Sequence, residues 1–231
     1  MTTIEFIGVE GVGKQTVIAH LAATLQEQGL AVATVRLGAR PRQLPTALLV
    51  PRLATHLALE HTRRSEGRRD LANVRTLALR SGALAWLCRR SGCVLVDEGP
   101  RHRTLALAAD GMLLRPDRVL AALPRPDLVV SLRADLEQCV SRLRQKPPDH
   151  WSHDLGDEPL KARLARYLAH ERALRAASSV PIIDSDNADH PPTTTASDLA
   201  TLLNGPPARR DRPGRTAARA GRVEPPPHRE S

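Results

Sequence analysis

Aromatic side chains make up only 2% of the 231 residues: one Tyr, one Phe and two Trp. Leu, Ala, Val and Ile must therefore supply nearly all of the packing, and no aromatic-interleaved surface for stacking nucleic-acid bases is present. Cysteine is scarce and odd in number. Cys88, Cys93 and Cys139 lack metal spacing, which excludes a disulfide framework and a zinc module and fits reduced thiols in a cytoplasmic protein. Long apolar runs are missing too, because Arg or Asp interrupts each one, and a strand pattern starts almost at the first residue. Neither a membrane span nor a signal peptide is expected. No internal repeat is found.

Positive charge is plentiful, at a formal +9, and arginine outnumbers lysine throughout. Taken alone, that balance suggests nucleic acid. Its distribution weakens the suggestion: residues 205–231 hold seven Arg against one Asp and two Glu and so carry +4, leaving +5 on residues 1–204. From Gly205 onward apolar periodicity gives way to Arg, Gly, Ala and Pro. Two regions are expected, a single folded domain over 1–204 and a disordered basic Pro/Arg-rich tail over 205–231. A nucleic-acid partner is not expected, and a homodimer is left open.

The densest chemistry lies at the start. Ile4-Glu5-Phe6-Ile7 is a short apolar run that enters Gly8-Val9-Glu10-Gly11-Val12-Gly13-Lys14-Gln15-Thr16, followed by helical periodicity at Val17, Leu21 and Leu25. Strand, glycine loop and helix in that order form an anion site. The glycines let backbone N–H groups converge, the helix N-terminus adds its field, and Lys14 supplies charge to terminal phosphates. The position after Lys14 usually carries a Ser or Thr hydroxyl that ligates magnesium. Here it is Gln15, with Thr16 one residue late.

A second constellation is Cys93-Val94-Leu95-Val96-Asp97-Glu98-Gly99-Pro100, a buried-strand pattern ending in an acidic pair and a break. Asp97 can organise magnesium and Glu98 can position or deprotonate an acceptor hydroxyl. Further on, Arg133, Arg142, Arg144 and Lys146 precede Pro147-Pro148-Asp149-His150-Trp151, a basic run beside a proline-broken loop. Arg142 and Arg144 are the leading candidates to neutralise migrating phosphate oxygens. His102 reads as a loop residue, and His150 and His153 as loop neighbours rather than zinc ligands. Asp110 is a candidate to face the acceptor pocket, and Trp151 to cover a ligand or dock against the core.

These motifs resemble the thymidylate kinase-like branch of nucleoside and nucleotide kinases among phosphate-binding-loop proteins. That family opens Phe-Glu-Gly-x-Asp-Gly-x-Gly-Lys-Ser/Thr-Thr, against Phe6 to Thr16 here, and the resemblance spans about residues 3–204. It implies cofactor contacts from Gly8, Glu10, Gly11, Val12, Gly13, Lys14, Gln15 and Thr16, with Asp97 and Gln15 toward the metal. It also implies catalytic roles for Lys14, Glu98, Arg142 and Arg144, with Arg36, Arg75 and Arg101 as candidates for holding the acceptor. Glu98 replaces the Arg that often follows the family's strand-end acid.

The expected fold class is α/β, a doubly wound, mostly parallel sheet with helices on both faces. The expected activity is transfer of the ATP γ-phosphoryl group, with Mg2+, to a small nucleoside or nucleotide. The alternative is a nonkinase ATPase or a regulatory nucleotide-binding protein. Helices are expected from Val17 to Gln28, from about Pro51 to Arg64, from Gly67 to about Arg90, from Pro116 to about Leu123, over Asp135–Arg144, from Pro159 to Ala177 and over Ala196–Leu203. Further strands are expected over Leu30–Leu37, Leu128–Leu132 and Ser179–Asp184.

Overall fold

The computed structural model describes residues 2–36, 92–113, 115–187 and 191–204. The elements run β1 (Thr2–Ile7), α1 (Lys14–Glu27), β2 (Val32–Arg36), β3 (Cys93–Asp97), α2 (Pro100–Ala109), α3 (Pro116–Ala122), β4 (Leu128–Arg133), α4 (Leu136–Arg144), a 3-10 turn (Trp151–Asp154), α5 (Asp157–Ala177), β5 (Ile182–Asp186) and α6 (Pro192–Asn204). The expected helices between residues 51 and 90, Arg75, Cys88 and the tail lie outside the described residues.

All five strands are parallel, in the order β2-β3-β1-β4-β5. This is the mixed α/β architecture expected, a parallel sheet flanked by helices and consistent with a phosphate-binding-loop kinase fold. Burial follows position. Residues 3–7 of β1, the middle strand, are all buried, whereas β5 alternates between half-buried and exposed residues at the sheet edge. Helix α1 packs on α6, while α2 packs on α5 and α3, so the helices form two groups against the sheet. The largest fully buried side chains are the aromatics Tyr167 and Phe6, set among aliphatic Ile4, Ile7 and Leu21.

Parallel pairing on both sides of β1 creates a switch point at its C-terminal end. The connection from β1 runs to β2 on one side and that from its neighbour β3 runs to β4 on the other, opening a crevice for a ligand between their ends. Both acidic and glycine-rich motifs leave the sheet at this edge.

Several boundaries differ from the sequence expectation for local reasons. Helix α1 starts at Lys14 rather than Val17, because Gly13 turns at φ 93° and delivers the chain straight into the first turn. Helix α5 starts at Asp157, placing Pro159 within a first turn that needs no donor there, with Asp157 and Glu158 favoured by the helix field. Strand β5 starts at Ile182 rather than Ser179. Ser178 Oγ accepts from Val180 N at 3.1 Å and so folds Ser178–Val180 into a turn. His102 is not a loop residue: Pro100 opens a helix that continues to Ala109, and His102 is buried within it.

Candidate functional site

The loop between β1 and α1 is built by glycine at the positions where no side chain fits. Gly8, Gly11 and Gly13 have φ of 137°, 85° and 93°. A Cβ on Gly8 would lie 2.6 Å from the Leu132 carbonyl oxygen at the end of β4, and one on Gly11 would lie 2.5 Å from the Cys139 carbonyl oxygen in α4. Both obstacles are backbone and cannot yield cheaply. The loop is thus held between its own helix and the strand and helix that follow it in space.

Three side chains from distant sequence brace it further. Gly8 N donates to the Tyr167 hydroxyl oxygen at 3.3 Å, and that oxygen lies 2.7 Å from His102 Nδ1. Asn187 Nδ2 donates to Val12 O at 2.6 Å, while Asn187 N donates to Arg133 O at 2.8 Å. Burial pushes the Tyr167 phenol well above its ordinary pKa, so the brace stays a neutral hydroxyl. Tyr167 stands on α5 and Asn187 directly follows β5. Neither position carries a local signal for contact with the loop, since the contacts span 159 and 175 residues of chain.

Lys14 is buried and donates from Nζ to the carbonyls of Gly8 at 2.7 Å and Val9 at 3.0 Å. Desolvation lowers its pKa, and the nearby carboxylates of Glu10, Asp97 and Glu98 oppose that shift. The expected cation and the expected acids therefore share one electrostatic neighbourhood. Gln15 and Thr16 are exposed in the first turn of α1.

Asp97 is buried at the end of β3, and its register partner on β2 is Arg36. Among the described residues Glu98 is the one non-glycine with positive φ, at 50°. A left-handed conformation at such a residue costs on the order of 1–3 kcal/mol and is concentrated at functional turns. Crowding requires glycine at the next position, where a Cβ on Gly99 would run into the Glu5 carboxylate.

The two candidate lid arginines separate. Arg142 Nη1 donates to Gly11 O and Val12 O, each at 3.3 Å, and so lies on the phosphate loop. Arg144 braces the Trp151–Asp154 turn instead, donating to Ser152 O at 2.7 Å, Leu155 O at 2.8 Å and Asp157 Oδ1 at 2.6 Å. Both are on α4, but only Arg142 reaches the loop. Arg101, a candidate acceptor contact, is buried in an ion pair with Glu5 at 3.0 Å and also donates to Pro124 O at 2.8 Å. Its cation is committed to the interior beneath β1.

Arg163 was not singled out from the sequence. It stands on α5 with Nη1 3.2 Å from Glu10 Oε2 and Nε 2.5 Å from Asp110 Oδ1, and its guanidinium lies 4.1 Å from the Trp151 ring centroid. Glu10 in the loop, Asp110 after α2 and Trp151 in the lid thus meet on one cation. Arg163 draws Asp110 and Trp151 toward Glu10 of the loop, while Trp151 also packs against the core. A helical arginine among several on α5 offers no local cue to this role.

The assembled edge has a cationic, donor-rich loop, two carboxylates at the neighbouring strand end and a second arginine above. Asp97, the Gln15 carbonyl and the Thr16 hydroxyl are hard oxygen donors of the class that suits magnesium. No group of three or more His, Cys, Asp or Glu placed to hold a metal is found among the described residues. A magnesium ion here would therefore share its ligation with nucleotide phosphates and water.

No family model matches the chain, and no curated protein matches it in sequence. Solved structures do match. Deoxyadenosine kinase from M. mycoides with dCMP and a flexible dCDP bound superposes with a TM-score of 0.56 at 15% identity, covering 87% of this chain and 98% of that one. The same enzyme with dATP gives 0.56 at 14% identity over 88% and 100% of the two chains. With dCTP the values are 0.53, 16%, 87% and 98%. The chain is similar in fold, at low sequence identity, to a nucleoside kinase with a phosphate-binding loop.

Proposed function

We propose that this chain binds ATP at residues 8–16 and transfers its γ-phosphoryl group to a small nucleoside or nucleotide. The observation that carries this reading is the loop itself, with glycines at positive φ, Lys14 buried among Glu10, Asp97 and Glu98, and Arg142 on the loop backbone. Likeness of fold to an enzyme with dATP or dCTP bound supports it.

Backbone N–H groups and Lys14 hold the β- and γ-phosphates, and Lys14 exchanges its two loop carbonyls for phosphate oxygens. Glu98 accepts the acceptor hydroxyl's proton as that oxygen bonds to phosphorus and the bond to the β-phosphate oxygen breaks. Arg142 neutralises charge on the transferring group. Arg144 positions the lid that carries Trp151. Thr16 contacts phosphate, and Asp97 and Gln15 are the residues that would hold magnesium, which when bound would supply charge neutralisation to the nucleotide phosphates. Arg36 lies at the edge where an acceptor phosphate would approach, and Arg75 keeps its candidacy from the sequence.

The test is a phosphoryl-transfer screen with several nucleotide donors against nucleosides, nucleotides and small metabolites, following both products by mass spectrometry. A phosphorylated acceptor is expected. Hydrolysis of ATP with no acceptor product would replace the kinase reading with an ATPase one, and binding without either reaction would leave a regulatory module. Gln15 is the observation that favours this second reading, because its amide stands where a hydroxyl usually ligates magnesium. Gln15→Ser is expected to lower the magnesium concentration needed for half-maximal single-turnover transfer. Weaker metal dependence with slower transfer would assign Gln15 a specialised nucleotide contact.

A further inference from the structure

A cleft of about 390 Å³ lies between α2, α3 and α5, away from the phosphate loop. Its lining includes Arg125, which precedes β4, and Ser178, Ser179 and Val180, which precede β5. All strands are parallel, so this is the edge where strands begin, opposite to the edge where β1 delivers the glycine loop.

The floor is aliphatic: Leu105 and Leu174 are buried, Val180 is 9% exposed and Leu120 is half-buried. Among the described residues the exposed large hydrophobics are Leu30 and Leu202, and neither lines the cleft. The apolar surface is therefore recessed, not displayed on a flat face as a protein interface would require. Its volume falls in the range that encloses small molecules.

The polar groups point to charge. The side chains of Arg125 and His170 hold none of the hydrogen bonds or ion pairs found among the described residues. The one lining carboxylate, Asp117, is already bonded to Arg115 at 3.0 Å, and Arg101 in the wall is neutralised by Glu5 at 3.0 Å. The balance left is the guanidinium of the exposed Arg125, with the half-buried His170 imidazole and the exposed Ser179 hydroxyl lining the same cleft. We propose that this cleft is a second binding site, for a small amphipathic carboxylate whose aliphatic body lies on Leu105, Leu120 and Leu174 and whose anion pairs with Arg125. The proposal does not depend on the reaction carried out at the phosphate loop.

Octanoate is the probe and octanol its uncharged counterpart. Titration of the full chain by calorimetry, with methyl NMR of the leucines, is expected to show saturable octanoate binding that shifts Leu105, Leu120 and Leu174. Octanol and the Arg125→Gln variant are each expected to bind about 10-fold more weakly, the loss of one charge-assisted contact. Ala173→Trp, at an exposed lining position that tolerates a larger side chain, should fill the cleft and abolish binding while the circular dichroism spectrum is kept. Absence of saturable octanoate binding, or equal binding in the parent and Ala173→Trp, would overturn the proposal. So would sedimentation showing a dimer that Ala173→Trp dissociates and octanoate does not, because a second copy would then be the occupant.

Discussion

Lys14 is a cation held away from water by its own loop, and its two carbonyl contacts are what phosphate oxygens would replace. Lys14→Ala is expected to weaken ATP binding about 10- to 100-fold, the scale of a lost charge-assisted hydrogen bond to phosphate. Calorimetry on the folded variant measures it, and unchanged affinity would remove Lys14 from the site. Arg142 and Arg144 differ by two residues and by destination, so their alanine variants should differ in kind. Arg142→Ala should slow single-turnover transfer about 100-fold with a smaller effect on ATP affinity, as for a group that acts on developing charge. Arg144→Ala removes the bonds to Ser152 O, Leu155 O and Asp157, of which the Asp157 contact is exposed and screened. It should lower Tm by about 2–4 °C through loosening of the Trp151–Asp154 turn. The same rate loss in both variants would mean that the backbone contacts of Arg142 are incidental. The motif residues Gly8 to Thr16 were legible in the sequence because a phosphate loop is made of consecutive positions. Tyr167, Asn187 and Arg163 were not, because each is defined by the element it meets and not by its neighbours in the chain.

At the scale of elements, the lid depends on a neutral histidine. His150 Nδ1 accepts from Ser152 N at 3.3 Å at the start of the Trp151–Asp154 turn and lies 2.8 Å from Ser152 Oγ. Partial burial, followed by the positive charges of Lys146 and His153, lowers its pKa below the usual 6.5, against the weaker pull of Glu10 and Asp149. The unfolded turn therefore takes up a proton more readily than the folded one. The turn keeps its full stability above pH about 6.5 and loses it as pH falls through that value toward the lower folded pKa. In a Trp86→Phe background, Trp151 fluorescence should shift toward that of an exposed indole as pH falls below about 6.5. His150→Asn should flatten the profile, and a transition retained in that variant would place the sensor elsewhere. This coupling matters to the site because Trp151 covers Arg163, which in turn holds Glu10 of the loop.

Over the whole molecule, the middle strand carries an acid in its interior. Glu5 sits on β1 between β3 and β4, and Arg101 gives it both a backbone N–H at 2.6 Å and a guanidinium at 3.0 Å. Arg101→Leu should destabilise the fold by about 3–5 kcal/mol, since it leaves a buried charge without its partner. The double change with Glu5→Leu should recover most of that loss in urea denaturation. Equal instability of single and double variants would show that packing, not charge, holds this contact. Sequence patterning was enough to give five strand segments in a mostly parallel sheet, the described helices other than α2, the glycine loop and the acidic strand end, because apolar runs and backbone turns leave local traces. It misassigned His102, began β5 three residues early and gave Arg101 to an acceptor. A buried ion pair and a buried imidazole look like surface charge until the partner is brought across from elsewhere in the chain. Which of two lid arginines reaches the loop, and that one α5 cation gathers loop, lid and Asp110, followed from how α4 and α5 pack on the sheet. Such pairings are set by the distance between elements in space, a quantity that no spacing along the chain encodes.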